Sequence, residues 1–107
     1  MATIPKILAD GQVAAAKAMV YTVPNGMQSI IRTVSFANVT AVVQTVLLYV
    51  KRSGSVSRLF SRASLNTDEF AHEEEIGTLA AGDQIEMATT TATSVDFTIM
   101  GVEVPVG

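Results

Sequence analysis

Cysteine and tryptophan are absent from this 107-residue chain, and histidine occurs once. Without cysteine there are no disulfide staples, no thiolate nucleophiles and no Cys-based zinc sites, and the redox compartment stays open. Without tryptophan, and with only two tyrosines, there is little to stack on sugar rings. Charge is scarce as well. Charged residues make up 16% of the chain and hydrophobic ones 49%, against about 25% charged in an ordinary soluble domain. A small monomer with so few charges has difficulty covering its apolar surface, so contacts with further copies or a partner are expected. Long apolar runs are also missing. The longest, residues 39–43 and 46–50, fall far short of the ~20 residues that span a bilayer, so the chain reads as soluble with no membrane partner. No charged segment followed by an apolar one opens the sequence, so no secretory leader is expected. The net charge of −3 argues against nucleic acid, whose phosphates require a concentrated basic field.

Chemical motifs are missing too. There is no G-x-S-x-G elbow, no G-x-x-x-x-G-K-[ST] or G-x-G-x-x-G loop and no calcium-binding loop pattern. No cofactor and no catalytic residues are therefore expected, and the chain reads as a non-enzyme. His72 stands beside Glu73, Glu74 and Glu75, which invites a metal site or a carboxylate-tuned base. On a strand, however, alternation sends His72 and Glu74 to one face and Glu73 and Glu75 to the other, splitting the cluster. Asn38-Val39-Thr40 matches a glycosylation sequon and reads as a chance match. The five methionines read as core filler.

What the sequence does contain is strand and turn chemistry. Ala81-Gly82-Asp83 makes a tight turn between an inward Leu79 and Ile85. From there Gln84–Thr89 and the alternating Val95, Phe97 and Ile99 read as a closing hairpin of two mutually paired strands. Val23-Pro24-Asn25-Gly26 is a strong turn, and Met27–Asn38 follows as a strand. Strict alternation there puts Ile30, Val34 and Phe36 on one face, with Arg32 among them. The next strand, Val42–Arg52, is apolar on both faces and needs a covering layer, so Leu47 or Tyr49 is expected against another subunit or the N-terminal segment. Ser53-Gly54-Ser55 closes a hairpin into Val56–Arg62. Residues 63–68 form a loop with Leu65 dipping inward, and Glu69–Ile76 reads as an acidic edge strand anchored by Phe70 and Ile76. Asp10-Gly11 reads as a turn into Gln12–Val23, which is a strand or, in its first half, a short helix over Gln12–Met19. The whole is an all-β antiparallel β-sandwich or jelly-roll-like fold of about seven or eight strands with an extended N-terminal arm. Residues 1–10 form that arm or an edge strand, and residues 11–107 form a single domain.

Charge is unevenly spread. Lys51, Arg52, Arg58 and Arg62 flank the central turn, and Glu69, Glu73, Glu74 and Glu75 follow soon after. They read first as two solvated faces, and more sharply as basic and acidic edges that meet between neighbouring subunits.

The segments Tyr21–Thr40, with its Y-x-V-P turn into an apolar strand ending in Asn38, and Leu79–Val104, with its L-x-A-G-D-x-I turn before a closing strand, resemble small virion proteins of tailed phages. The resemblance covers most of the chain. It implies a β-sandwich without catalytic residues, located on the virion as a capsid cement (decoration) protein. Such proteins are often trimeric, so the resemblance implies a homotrimer that binds the major capsid protein and stabilises the head. A tail, fibre or baseplate module is the alternative, and a carbohydrate-binding β-sandwich is the rival from another class. On that reading Ile4, Pro5, Ile7 and Leu8 of the arm are expected to contact the capsid or a neighbouring subunit, together with Leu47 and Tyr49.

Overall fold

The computed structural model describes residues 6–66, 69–90 and 95–106, except the side chains of residues 73–76. Eight strands are present: β1 (Lys6–Gln12), β2 (Ala18–Thr22), β3 (Met27–Asn38), β4 (Gln44–Lys51), β5 (Ser57–Leu65), β6 (Phe70–Leu79), β7 (Gln84–Thr89) and β8 (Val95–Pro105). They form two four-stranded sheets, ordered β1-β8-β3-β6 and β2-β7-β4-β5, with every pairing antiparallel. The chain changes sheet at every connection except the β4–β5 hairpin, which is the jelly-roll form of the sandwich.

That crossing corrects one expectation. β7 and β8 do not pair with each other: β7 lies between β2 and β4, and β8 between β1 and β3. Each has one face buried, with Ile85 and Met87 on β7 and Val95, Phe97 and Ile99 on β8. Alternation identifies a half-buried strand but does not say which sheet receives it. The inner faces meet in one core, in which Phe36 stands directly opposite Phe97 across the β3–β8 ladder and both rings are buried.

Bulges account for the other departures. The register shifts between Ile31 and Thr33, so that Arg32 has no opposite number on β8. The inward set is therefore Ser29 and Ile31, then Val34, Phe36 and Asn38. Arg32 is exposed, and Ile30 does not share the face of Val34 as strict alternation requires. A second shift between Ile7 and Ala9 on β1 lies against the same stretch of β8, so the first sheet bends along one line. Gly101 sits on that line, where a Cβ would fall 2.2 Å from the Ile30 carbonyl oxygen. No other residue fits so close an approach.

Several boundaries also move. Asp10-Gly11 is not a turn but part of β1, opposite Thr98 and Phe97. Residues 13–17 are neither helix nor strand, and β2 begins only at Ala18. β4 starts at Gln44, which leaves Val42 and Val43 in a loop, and β5 runs on to Leu65, whose side chain is fully inward as expected. Phe70 anchors nothing, since 78% of it is exposed, while the side chain of Ile76 lies outside the described set. Of the methionines described, Met87 fills the core, Met27 packs against it, and Met19 and Met100 are exposed.

Candidate interaction surfaces and buried polar sites

Two ends and two flanks of the sandwich carry the polar and exposed apolar groups. At one end lie the short connections β2–β3, β4–β5 and β6–β7. Gly82, at φ 85°, completes the tight turn there, and the turn is tied to its neighbour by Gly82 N–H to the Val23 carbonyl (3.1 Å) and Val23 N–H to the Asp83 carbonyl (2.9 Å). Asp83 is 2% exposed, and its carboxylate is fully engaged. It accepts from Ser53 N–H at 2.8 Å, from Ala80 N–H at 2.9 Å and from Arg52 Nε at 2.8 Å. Burial pushes its pKa up, but these backbone donors and the Arg52 charge outweigh burial and hold it below the usual carboxylate range. The Gly82-Asp83 turn is thus a clamp on the β4–β5 hairpin rather than a ligand loop.

A second polar group spans the sheets near the same end. The Tyr21 hydroxyl, from the second sheet, lies 2.6 Å from Ser29 Oγ and donates to Glu103 Oε2 at 2.7 Å in the first sheet. Lys6 Nζ lies 3.2 Å from Glu103 Oε1. Burial, opposed by the Ser29 hydrogen bond and reinforced by Glu103, raises the Tyr21 pKa to about 12. The hydrogen bond from Tyr21 and the charge of Lys6 hold Glu103 low, against the effect of burial. All three hydroxyl and carboxylate groups are occupied in joining the sheets.

The opposite end carries the connections β1–β2, β3–β4, β5–β6 and β7–β8. Asn38, 2% exposed, organises it. Its Nδ2 donates to the carbonyls of Val42 (2.8 Å), Leu65 (3.1 Å) and Asn66 (3.1 Å), and its Oδ1 accepts from Thr40 N–H (2.9 Å) and Oγ1 (2.8 Å). An amide buried and bonded in this way is closed to glycosylation. The loop it holds displays Val39, Val42 and Val43, which are 51%, 65% and 51% exposed, with Ala41 exposed among them. Sequence reasoning missed this rim because it assigned Val42 and Val43 to a strand. The signal available was the loss of alternation after Asn38.

Of the six expected contact residues, the four that are described lie on different sheets. Ile4 and Pro5 lie outside the described residues. Ile7 is exposed on the outer face of the first sheet beside Met100, and Leu8 is half-buried against the core. Leu47 and Tyr49 are half-buried on the outer face of the second sheet. The described part of the N-terminal segment pairs with β8 and so does not cover them. Lys17 reaches over the Tyr49 ring instead, 4.8 Å from its centroid. His72 is exposed on β6, and among the described residues no group of three His, Cys, Asp or Glu side chains could hold a metal.

No protein-family profile and no curated protein sequence matches the chain. Solved structures do. Over 98% of this chain and 89% of its own, the chain is similar at 16% identity and TM-score 0.56 to a structure described as "Bacillus endospore appendages form a novel family of disulfide-linked pili". It is similar at 10% identity and TM-score 0.62 to a chain in the structure of infectious bursal disease virus, Gx strain. That match covers 99% of this chain and 33% of the viral one, so this chain spans a third of its length. A chain of the Gt strain gives 9% identity and TM-score 0.50. At such identities what is shared is the fold: an all-β sandwich found in a virus and in a pilus.

Proposed function

We propose that this chain is a non-enzymatic structural subunit of a virus particle and, at its sharpest, a cement protein on a phage head that binds the major capsid protein. The observation that carries the reading is the exposed valine rim of the β3–β4 loop, held out by buried Asn38. An uncharged, preorganised apolar surface suits a permanent contact with a large partner. The sandwich neighbours come from assemblies, one a virus and one a pilus. The pilus is described as disulfide-linked, and this chain, lacking cysteine, must be held by non-covalent area and by avidity among several copies. Ile7, exposed beside Met100 on the outer face of the first sheet, adds a second apolar patch.

Incubating the purified protein with heads and with tails, followed by sedimentation, tests the reading. Val42→Asp with Val43→Asp, both on exposed positions, should leave the fold intact and abolish co-sedimentation with heads. Recovery on tails alone replaces the cement reading with a tail, fibre or baseplate module, and binding to neither particle overturns both. A carbohydrate-binding reading rests on exposed Phe70 beside His72, Ser35 and Asp96 on the outer face of the first sheet. It requires glycan binding that Phe70→Ala removes.

A further inference from the structure

The two edge strands on one flank of the sandwich, β5 and β6, carry opposite charge. Residues 44–66 contain four Lys or Arg and no acid, whereas residues 67–76 contain five Asp or Glu and no Lys or Arg. β5 ends the second sheet and β6 ends the first. The connection between them is short and closed by Glu69 N–H to the Asn66 carbonyl at 3.1 Å, so the two edges lie side by side with one basic and one acidic. Arg58 and Arg62 are exposed and have no ion-pair partner among the described residues. The same flank shows Val56 63%, Leu59 51%, Phe60 47% and Phe70 78% exposed.

We infer that a second copy of this chain docks on this flank, related by a two-fold axis parallel to the strands, with β5 of each copy beside β6 of the other. β5 and β6 run in opposite directions within one chain. A two-fold along the strands keeps those directions and exchanges the sheets, so each inter-copy pair is antiparallel, the commoner and slightly stronger ladder. The first sheet of one copy then continues into the second sheet of its partner, and the free edges on this flank disappear. Charges on an edge ordinarily serve to keep strands apart, and a mixture of signs would do that equally well. Segregation by sign does more: β5 repels β5, β6 repels β6, and only the exchanged pairing is attractive. Because both edges lie on one flank, the contact is self-complementary and closes at two copies. It differs from the three-fold assembly implied by the phage resemblance, and it does not depend on the capsid reading.

Native mass spectrometry and sedimentation on the full chain test this. Wild type should be a dimer whose dissociation constant rises as salt is raised from about 0.05 to about 0.5 M, where screening shortens to a few ångströms. Arg58→Glu with Arg62→Glu, on exposed positions, should keep the strand-rich circular dichroism spectrum and weaken dimerisation at least about tenfold. Glu73→Lys with Glu74→Lys should do the same. An equimolar mixture of the two variants should form heterodimers, because both exchanged contacts regain opposite signs. If the acidic-strand variant fails to fold, the salt titration and the Arg58/Arg62 variant decide alone. A monomer or trimer in wild type, an Arg58/Arg62 variant that dimerises like wild type, or folded variants that do not recover on mixing would overturn the inference.

Discussion

The two ends of the sandwich are each closed around a buried polar side chain, one charged and one neutral. Asp83 clamps the short turns through backbone N–H groups and Arg52, with the Tyr21–Glu103–Lys6 group close by. Asn38 clamps the β3–β4 and β5–β6 loops through three carbonyls and Thr40. A carboxylate only accepts, so it suits an end where free N–H groups converge. A primary amide both donates and accepts, so it suits an end where carbonyls converge. The buried side chain that closes the turn end is therefore ionisable, and the one that closes the loop end is not.

Removing the amide should have the largest effect. Asn38→Ala removes at one buried position the bonds to the Leu65, Asn66 and Val42 carbonyls and to Thr40, and should cost about 3 kcal/mol in urea unfolding, equally at pH 4 and pH 8. A pH-dependent loss would break the contrast between the ends. Asp83→Asn comes next, at about 2 kcal/mol near neutrality. The folded carboxyls of Asp83 and Glu103 titrate below their unfolded values. Their contribution is thus present above pH about 4 and is lost as pH falls through the depressed folded values. Acid unfolding of Asp83→Asn should show a shallower dependence than wild type, and an unchanged slope would remove Asp83 from the account. Tyr21→Phe should cost about 1 kcal/mol. Because the folded phenol titrates near 12, its contribution is complete below the unfolded value of about 10 and fades as pH rises toward the folded one. The variant should lack that alkaline loss. Phe70→Ala should change the stability of the isolated domain by less than about 0.5 kcal/mol, because the ring is mostly in solvent.

Local chemistry was legible in the sequence wherever one short stretch determines the outcome. The bounds of β3, the Pro24-Asn25-Gly26 turn, the Ser53-Gly54-Ser55 hairpin and the inward Leu65, Leu79 and Ile85 all follow from turn residues and alternation. The bulge at Arg32 was not legible, since it answers to Gly101 on a strand distant in sequence. The separation of β7 from β8 was not legible either, because sheet membership is decided by which inner faces meet. Of the surfaces, the opposed charges of β5 and β6 could be read directly. That they share one flank could not, because it depends on the order of strands in both sheets.

The place of β8 in the first sheet has a consequence for how the protein forms. Of the eight described strands β8 is synthesised after the other seven, yet it lies in the interior of its sheet, with β1 on one side and β3 on the other. Lys6 has Gly101 as its register partner. Until β8 arrives, β1 has no ladder and β3 shows an open edge with Val34 and Phe36 uncovered. The sheet therefore closes only after translation has passed Pro105, through contacts of nearly the greatest sequence separation the chain allows, which makes folding slow relative to helical domains of this size. In that interval the nascent chain is most exposed to pairing with its neighbours.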